Sequence, residues 1–222
     1  MPKFSASYIF SPDRGLIKNG ILETDEEGKV VSLKQPEGDL KEEADLKHYN
    51  GIITPGFVNA HCHIELSHLK GKVPEYIGLD KFIHQIVTGR DYDRDTIEEA
   101  MLEADREMEK EGIVAVGDIS NKLPGSILMK AYPNKVCIGT DSLSSNHRLS
   151  ILAELITLNK NYPEISLEQL LTFATINGAR ILKMDNTLGS FEEGKKPGVN
   201  LIEGGDFGGM RFGGEAEVRR LL

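Results

Sequence analysis

The sequence predicts an α/β fold that carries a small β domain built from both ends of the chain, on three observations. Residues 1–53 alternate apolar and polar side chains in short runs punctuated by glycine. Residues 54–185 alternate strand-like and helix-like segments, the pattern of parallel α/β structure. Residues 186–222 return to the turn-rich style of the beginning, so the two ends are read as one domain, 1–53 with 186–222, interrupted by another at 54–185.

Taken in order, SYIFSP, GLIKNGILET and GKVVSL, with Gly15, Gly20 and Gly28 between them, read as short antiparallel strands. The charged stretch DLKEEADLKH, 39–48, is the first helix signal. IITPGFVNAHCH, 52–63, reads as the end of one buried strand. Asp95 and Glu98 open a helix whose Ile97, Met101, Leu102, Ala104 and Met108 recur at helical spacing, and Gly112 stops it. GIVAVGDIS, 112–120, is continuously apolar, as expected of a strand covered on both faces. KVCIGTDS, 135–142, reads as another strand. LSILAELITLNK forms a helix ended by Asn161 and Pro163, and SLEQLLTFATINGARIL forms one more, with Ser166 and Gln169 as its capping box. GVNLIEG is the one clear strand of the far end.

Composition narrows the class of function. With 39% hydrophobic and 27% charged residues the chain is globular rather than disordered. A formal net charge of -9 argues against nucleic acid and anionic membrane as partners, both of which need a basic surface, and suits a neutral or cationic small molecule. The opening MPKFSASYIFSPDRG lacks a signal-peptide pattern and no apolar run is long enough to span a membrane, so a cytoplasmic location is expected. Cys62 and Cys137 are too few for a disulfide framework and read as reduced thiols.

The chemistry concentrates in GFVNAHCHIELSHLKG, residues 56–71. On an extended strand His61 and His63 share a face and Cys62 takes the other. Two imidazoles on one face can chelate a metal; alternatively one is bonded in the core and the other solvated. Their position at the C-terminal end of a buried strand is where parallel α/β folds place their sites. Asp141 in GTDSLSSN follows another such strand end, as an oxygen ligand, a base for water, or a helix N-cap.

TPGFVNAHCHIELSHLKG, EGIVAVGDIS, VCIGTDSLSSNHRLSILAEL, LLTFATINGARIL and LGSFEEGKKPGVNLI together resemble the amidohydrolase superfamily, in its cytosine-deaminase-like and chlorohydrolase-like branch. The resemblance implies a (β/α)8 TIM barrel over 54–185 with a small β-sandwich from both termini. It implies that His61, His63 and Asp141 hold a divalent metal ion, with zinc, iron and manganese all suited to these donors. It further implies that Asp141 is catalytic, moving a proton in hydrolysis of a carbon–nitrogen bond of a small-molecule substrate, an aminated heterocycle or nucleoside. Against the family pattern, the histidines of the fifth and sixth barrel strands and a proton-shuttling glutamate have no counterpart, since His48, His68, His84 and His147 stand in other contexts. A full barrel takes about 250 residues, whereas 54–185 holds three strand–helix units, so the barrel is expected to be partial, with a junction near Asn121 and Lys122. Open strand edges would then favour a homo-oligomer.

Glu65, Ser67 and His68, in the loop after the histidines, are candidates for substrate contact, as is Ser142; Ser142 and Asn146 are also candidates to orient Asp141 or to cap and turn the chain. Cys62 reads as a small buried hydrophobe. The run GGDFGGMRFGGE lacks the ending of a phosphate loop and reads as turns. Two functions remain from different classes: a metal-dependent hydrolase, and a catalytically inactive homologue serving as an oligomeric scaffold or weak metal binder.

Overall fold

The computed structural model of the chain describes residues 1–36, 45–74, 77–119 and 136–222. The expected junction at Asn121 and Lys122 lies outside the described residues, as does most of the charged stretch read as a first helix signal. Of that stretch, Leu46–His48 instead begin a strand.

Strands β1 (Lys3–Ser11), β2 (Gly15–Lys18), β3 (Ile21–Thr24), β4 (Val30–Lys34) and β5 (Leu46–Pro55) come from the first quarter of the chain, and β8 (Val199–Glu203) and β9 (Glu217–Arg220) from its end. All seven form one sheet in the order β4-β3-β1-β5-β8-β9, with β2 on β1. The neighbours are antiparallel except β1 and β5, which run parallel with Phe4 opposite Lys47 and Ile9 opposite Ile53. The all-antiparallel expectation fails there because β2, β3 and β4 intervene and turn the chain back before β5 joins. Phe4, Ile9, Leu22, Ile53, Val199 and Leu201, drawn from both ends of the chain, share one core. Strand β9 carries the charged pattern EVRR and gave no apolar signal; it exists because it pairs with β8, Ile202 opposite Val218.

The run read as a single strand is two. Strand β5 ends at Pro55 and β6 covers Phe57–Cys62 in a different sheet, paired in parallel with β7 (Ile113–Asp118). Gly56 is the crossing point: a Cβ there would lie 2.3 Å from Val114 Cγ1 and 2.7 Å from the Pro197 carbonyl. A 3-10 helix (Ile64–Leu69), α1 (Leu79–Gly89) and α2 (Arg94–Lys110) connect β6 to β7. The cap of α2 is Asp93, whose side chain accepts from Thr96 N, two residues before the expected opening at Asp95.

Helix α3 (Ile151–Asn161) is capped by Ser150, which leaves Asp141 free of the capping role. The last helical pattern is broken in two, α4 (Leu167–Ala174) with its Ser166/Gln169 capping box and α5 (Ile176–Ile181), because Thr175 departs from helical backbone (φ -124, ψ -94). Leu155, Leu170, Leu171 and Ala174 close over Phe57 and Cys62 in the main core, with Ala104 and Met108 of α2. Strand β7 is less covered than its composition implies. Val114, Ala115 and Val116 are only half-buried, and a hollow runs along 113–116. Among the described residues β6 is its sole strand neighbour.

No helix of the described residues is long and apolar enough to cross a membrane. Truncating Leu171, fully buried, to alanine should lower the unfolding free energy by about 2–5 kcal/mol, read as a lower urea midpoint at unchanged slope. The Leu102→Ala change, at a side chain 56% exposed on α2, should stay within about 0.5 kcal/mol.

Candidate metal centre

Strand β6 brings the two histidines to the site, and its flanks fix where they point. On one edge lies β7; on the other lies segment 136–141, joined through Ala60 N to Ile138 O (2.9 Å) and His63 N to Asp141 O (3.0 Å). The carbonyl of His61 accepts from both Thr140 N and Asp141 N, each at 3.1 Å. Two successive amides on one carbonyl kink the segment, so the described part, 136–142, forms an isolated bridge, Cys62 with Asp141, in place of the expected strand. Asp141 takes up the kink at φ 57, a left-handed conformation that aspartate tolerates better than most residues.

The close approach has a steric condition. A Cβ on residue 139 would stand 2.5 Å from His61 Cβ and 2.7 Å from its carbonyl oxygen, so only glycine fits. It also has a polar clamp. Buried Asn59 donates from Nδ2 to Thr140 Oγ1 (2.7 Å) and accepts at Oδ1 from Thr140 N (3.1 Å).

The side chains follow from this frame. His63 Nδ1 lies 2.6 Å from the Ile119 carbonyl, which can only accept, so Nδ1 carries the proton and Nε2 presents a bare lone pair. Ser145 Oγ donates to Asp141 Oδ2 at 2.6 Å and is itself 3.1 Å from Ser142 Oγ, which meets Ser144 Oγ at 2.6 Å. With Oδ2 held, Oδ1 turns toward the imidazoles, 3.6 Å from Nε2 of His61 and 3.6 Å from Nε2 of His63. These separations are too long for hydrogen bonds. Donors about 2.1 Å from one ion at tetrahedral angles stand about 3.4 Å apart, close to what is seen. The three ligand atoms lie within 4.8 Å of one another, the only such group among the described residues. Two imidazole nitrogens and one carboxylate oxygen, converging on one point, fit a divalent cation.

The site opens to solvent through Asp141, whose side chain is 50% exposed. A hollow of about 530 Å³ adjoins it. Val73, Ile77 and Phe82 form its apolar side, and Asp141, Ser145 and His147 its polar side.

The structure therefore brings His61, His63 and Asp141 together, but not the other candidates. Glu65 lies on the 3-10 helix, where its carbonyl accepts from His68 Nδ1 (2.9 Å). Ser67 and His68 are buried and line a different cavity, against α2. Ser142 sits behind Asp141 in the serine cluster, and Asn146 braces the loop by donating to Thr140 O (3.1 Å) and Glu154 Oε1 (2.8 Å). His48 on β5 and His84 on α1 stand outside the group, while His147 shares the hollow. Reading the sequence missed three contributors: Ser145, Asn59 and the apolar wall around residues 73–82. Asn59 did leave a signal, a polar residue in an apolar strand at the same two-residue period as His61 and His63.

Three comparisons bear on this geometry. Residues 128–211 match the model of the amidohydrolase family. A 5-methylthioadenosine/S-adenosylhomocysteine deaminase of Thermoanaerobacter pseudethanolicus is 40% identical over 75 residues, 31% of this chain and 17% of that protein's length, so the chain matches well under half of that relative. Among solved structures, Helicobacter pylori aminofutalosine deaminase in complex with methylthio-coformycin superimposes with a TM-score of 0.68 at 14% identity, covering 92% of both chains. A zinc-bound adenosine deaminase of Xanthomonas campestris gives 0.68 at 12% identity, covering 90% of this chain and 84% of its own. The resemblance to the amidohydrolases and their deaminases thus holds in sequence and in fold. At these identities the superpositions show the fold alone, that of the amidohydrolase TIM barrel, present here in part.

Cys62, between the two histidines, has no solvent exposure, and burial pushes its thiol from an ordinary value near 9 up to about 11. Thiol labelling of the native protein at pH 8 should therefore leave Cys62 unmodified and label it only after denaturation. Because the folded state holds this proton more tightly than the unfolded chain, its contribution to stability is complete below pH 9. It should be lost as the pH rises through 11, measured as a falling urea midpoint in the wild type and a flatter profile in Cys62→Ala.

Proposed function

We propose that the chain is a metal-dependent hydrolase of the amidohydrolase type, acting on a non-peptide carbon–nitrogen bond and deaminating an aminated heterocycle or nucleoside. The convergence of His61 Nε2, His63 Nε2 and Asp141 Oδ1 carries the reading. The deaminase likenesses in sequence and fold support it. In this reading 54–185 is the partial barrel, 1–53 and 186–222 form the small β-sandwich domain, and the protein works as a cytoplasmic homo-oligomer.

His61, His63 and Asp141 would hold the ion, zinc being the choice that the zinc-bound neighbour supports. A bound divalent ion supplies Lewis acidity, which lowers the pKa of a water toward neutrality. The chain's own residues do the rest. The Ile119 carbonyl keeps His63 in the tautomer that offers Nε2. Asp141, with Oδ1 turned to the imidazoles, would accept and return a proton at Oδ2, the oxygen that Ser145 positions. The apolar side of the hollow packs a ring or its substituent and excludes water, while the polar side meets the amino group. Ser142 braces Ser145, and through it Asp141, from behind.

One observation favours the second reading, an inactive homologue that binds metal weakly and serves as an oligomeric scaffold. Among the described residues only three donors converge, and none of His48, His68, His84 or His147 joins them. Turnover separates the two. Metal-depleted protein should take up one zinc per chain, with affinity reduced at least tenfold in His61→Ala and in His63→Ala. The loaded protein should release ammonia from adenine-type nucleosides, and this should vanish in Asp141→Asn. Zinc uptake without ammonia release across purine and pyrimidine amines would overturn the hydrolase reading and leave a catalytically inactive metal binder.

A further inference from the structure

Helix α1 buries only part of its apolar surface. It packs on the 3-10 helix through Phe82 and Ile86, which join Leu66, Leu69 and Val73 in a small core. On the adjoining stripe Leu79, Ile83 and Val87 recur every fourth position and form a second apolar ridge beside the first. That ridge faces solvent: Leu79 is 71% exposed, Ile83 50% and Val87 54%, and Tyr92, just past the helix, 42%. Single exposed apolar side chains, such as Leu102 on α2, are ordinary on a protein surface. A row of three along about 12 Å of helix is the mark of an interface.

The ridge and the charges around it identify what covers it. A two-fold contact between identical copies requires a patch that is complementary to itself. The ridge is symmetric about Ile83: two copies of α1 laid antiparallel set Ile83 against Ile83, and Leu79 of each against Val87 of the other. Asp80 stands in the first turn of α1 and Arg90 at its C-cap, and neither forms an ion pair among the described residues. The antiparallel alignment brings Asp80 of one copy to about 6 Å along the axis from Arg90 of the other, within reach of the arginine side chain, and does so twice by symmetry. A parallel pair would set Asp80 beside Asp80 and Arg90 beside Arg90, with the two helix dipoles aligned. The formal net charge of -9 speaks against an anionic membrane as the cover.

We infer that the ridge of Leu79, Ile83 and Val87 is an interface between two copies of this chain, packed antiparallel about a two-fold axis at Ile83. The interface belongs to the homo-oligomer of the proposed function, and it does not depend on turnover at the metal centre. Leu79 also lines the hollow beside Asp141, so the second copy stands at the rim of that hollow. Three aliphatic side chains and Tyr92 cover less than the roughly 800 Å² per partner of a standard interface, so the dimer dissociates on dilution.

Sedimentation equilibrium of the whole protein, from about 1 µM to about 500 µM, should show monomer passing to dimer. Ile83→Glu puts two carboxylates on the axis and should weaken the dimer at least tenfold. Leu102→Glu, at the exposed position on α2, should change it less than twofold. In a Cys137→Ser background, with Cys62 buried, Ile83→Cys should form a covalent dimer on mild oxidation because residue 83 meets its own copy. Thr88→Cys, on the far side of α1, should not. Thermal melts confirm that each variant is folded. A monomer throughout the range, or no cross-link through residue 83, overturns the assignment. A dimer that Ile83→Glu leaves intact overturns it as well, and returns the homo-oligomer to the open edge of β7.

Discussion

The site depends on how strand β6 is gripped. Its edges are taken by β7 and by segment 136–141, and the second contact is unusually close because residue 139 is glycine and because Asn59 holds Thr140 through two buried hydrogen bonds. The His61 carbonyl then accepts two amides in succession, which rotates Asp141 out of strand geometry and toward the face carrying His61 and His63. If segment 136–141 were an ordinary strand, residue 141 would continue the ladder and its carboxylate would follow the pleat. The kink is what converts a parallel strand pair into a three-donor cluster. Orphaning either end of the Asn59 clamp would leave a buried polar group at about 1–3 kcal/mol, and the loss would fall on the geometry of the donors before it reached the rest of the fold.

Around that grip, two of the three donors, His63 and Asp141, have a second contact that settles which atom faces inward. The Ile119 carbonyl fixes the tautomer of His63, and Ile119 is itself placed by its amide on the Cys62 carbonyl (2.8 Å). Ser145 occupies one oxygen of Asp141 and leaves the other to the imidazoles. Asp118 accepts from Ile64 N and so ties down the turn that follows His63. These supports come from the end of β7 and from the loop after Asp141, two places far apart in sequence. Orientation of this kind is what a metal site would require of its donors.

The sequence spoke clearly where period and caps are local. The two-residue spacing of His61 and His63 and the Ser166/Gln169 box each follow from side-chain geometry that a few neighbouring residues determine. It spoke poorly where a distant partner decides the outcome. EVRR is a strand only because β8 offers it an edge, and β5 runs parallel to β1 only because of where the hairpins between them return the chain. KVCIGTDS reads as a strand by composition, yet residue-level contact with His61 bends it. The apolar wall at residues 73–82 left no signal, since apolar residues after a turn serve a core as readily as a hollow.

The exposure of β7 follows from the same logic. Its Ile-Val-Ala-Val run is the composition of a strand buried on both faces, and Phe57 and Val58 of its neighbour are fully buried. Val114, Ala115 and Val116 are not, although they carry the same kind of side chain. A strand selected for two covered faces but covered on fewer has apolar surface to lose, about 25 cal/mol for each Å² that a partner would remove from water. The same strand runs on to Ile119, whose carbonyl fixes the His63 tautomer. Strand β7 thus does two things at once: it holds one edge of β6, and its C-terminal continuation aims His63 Nε2.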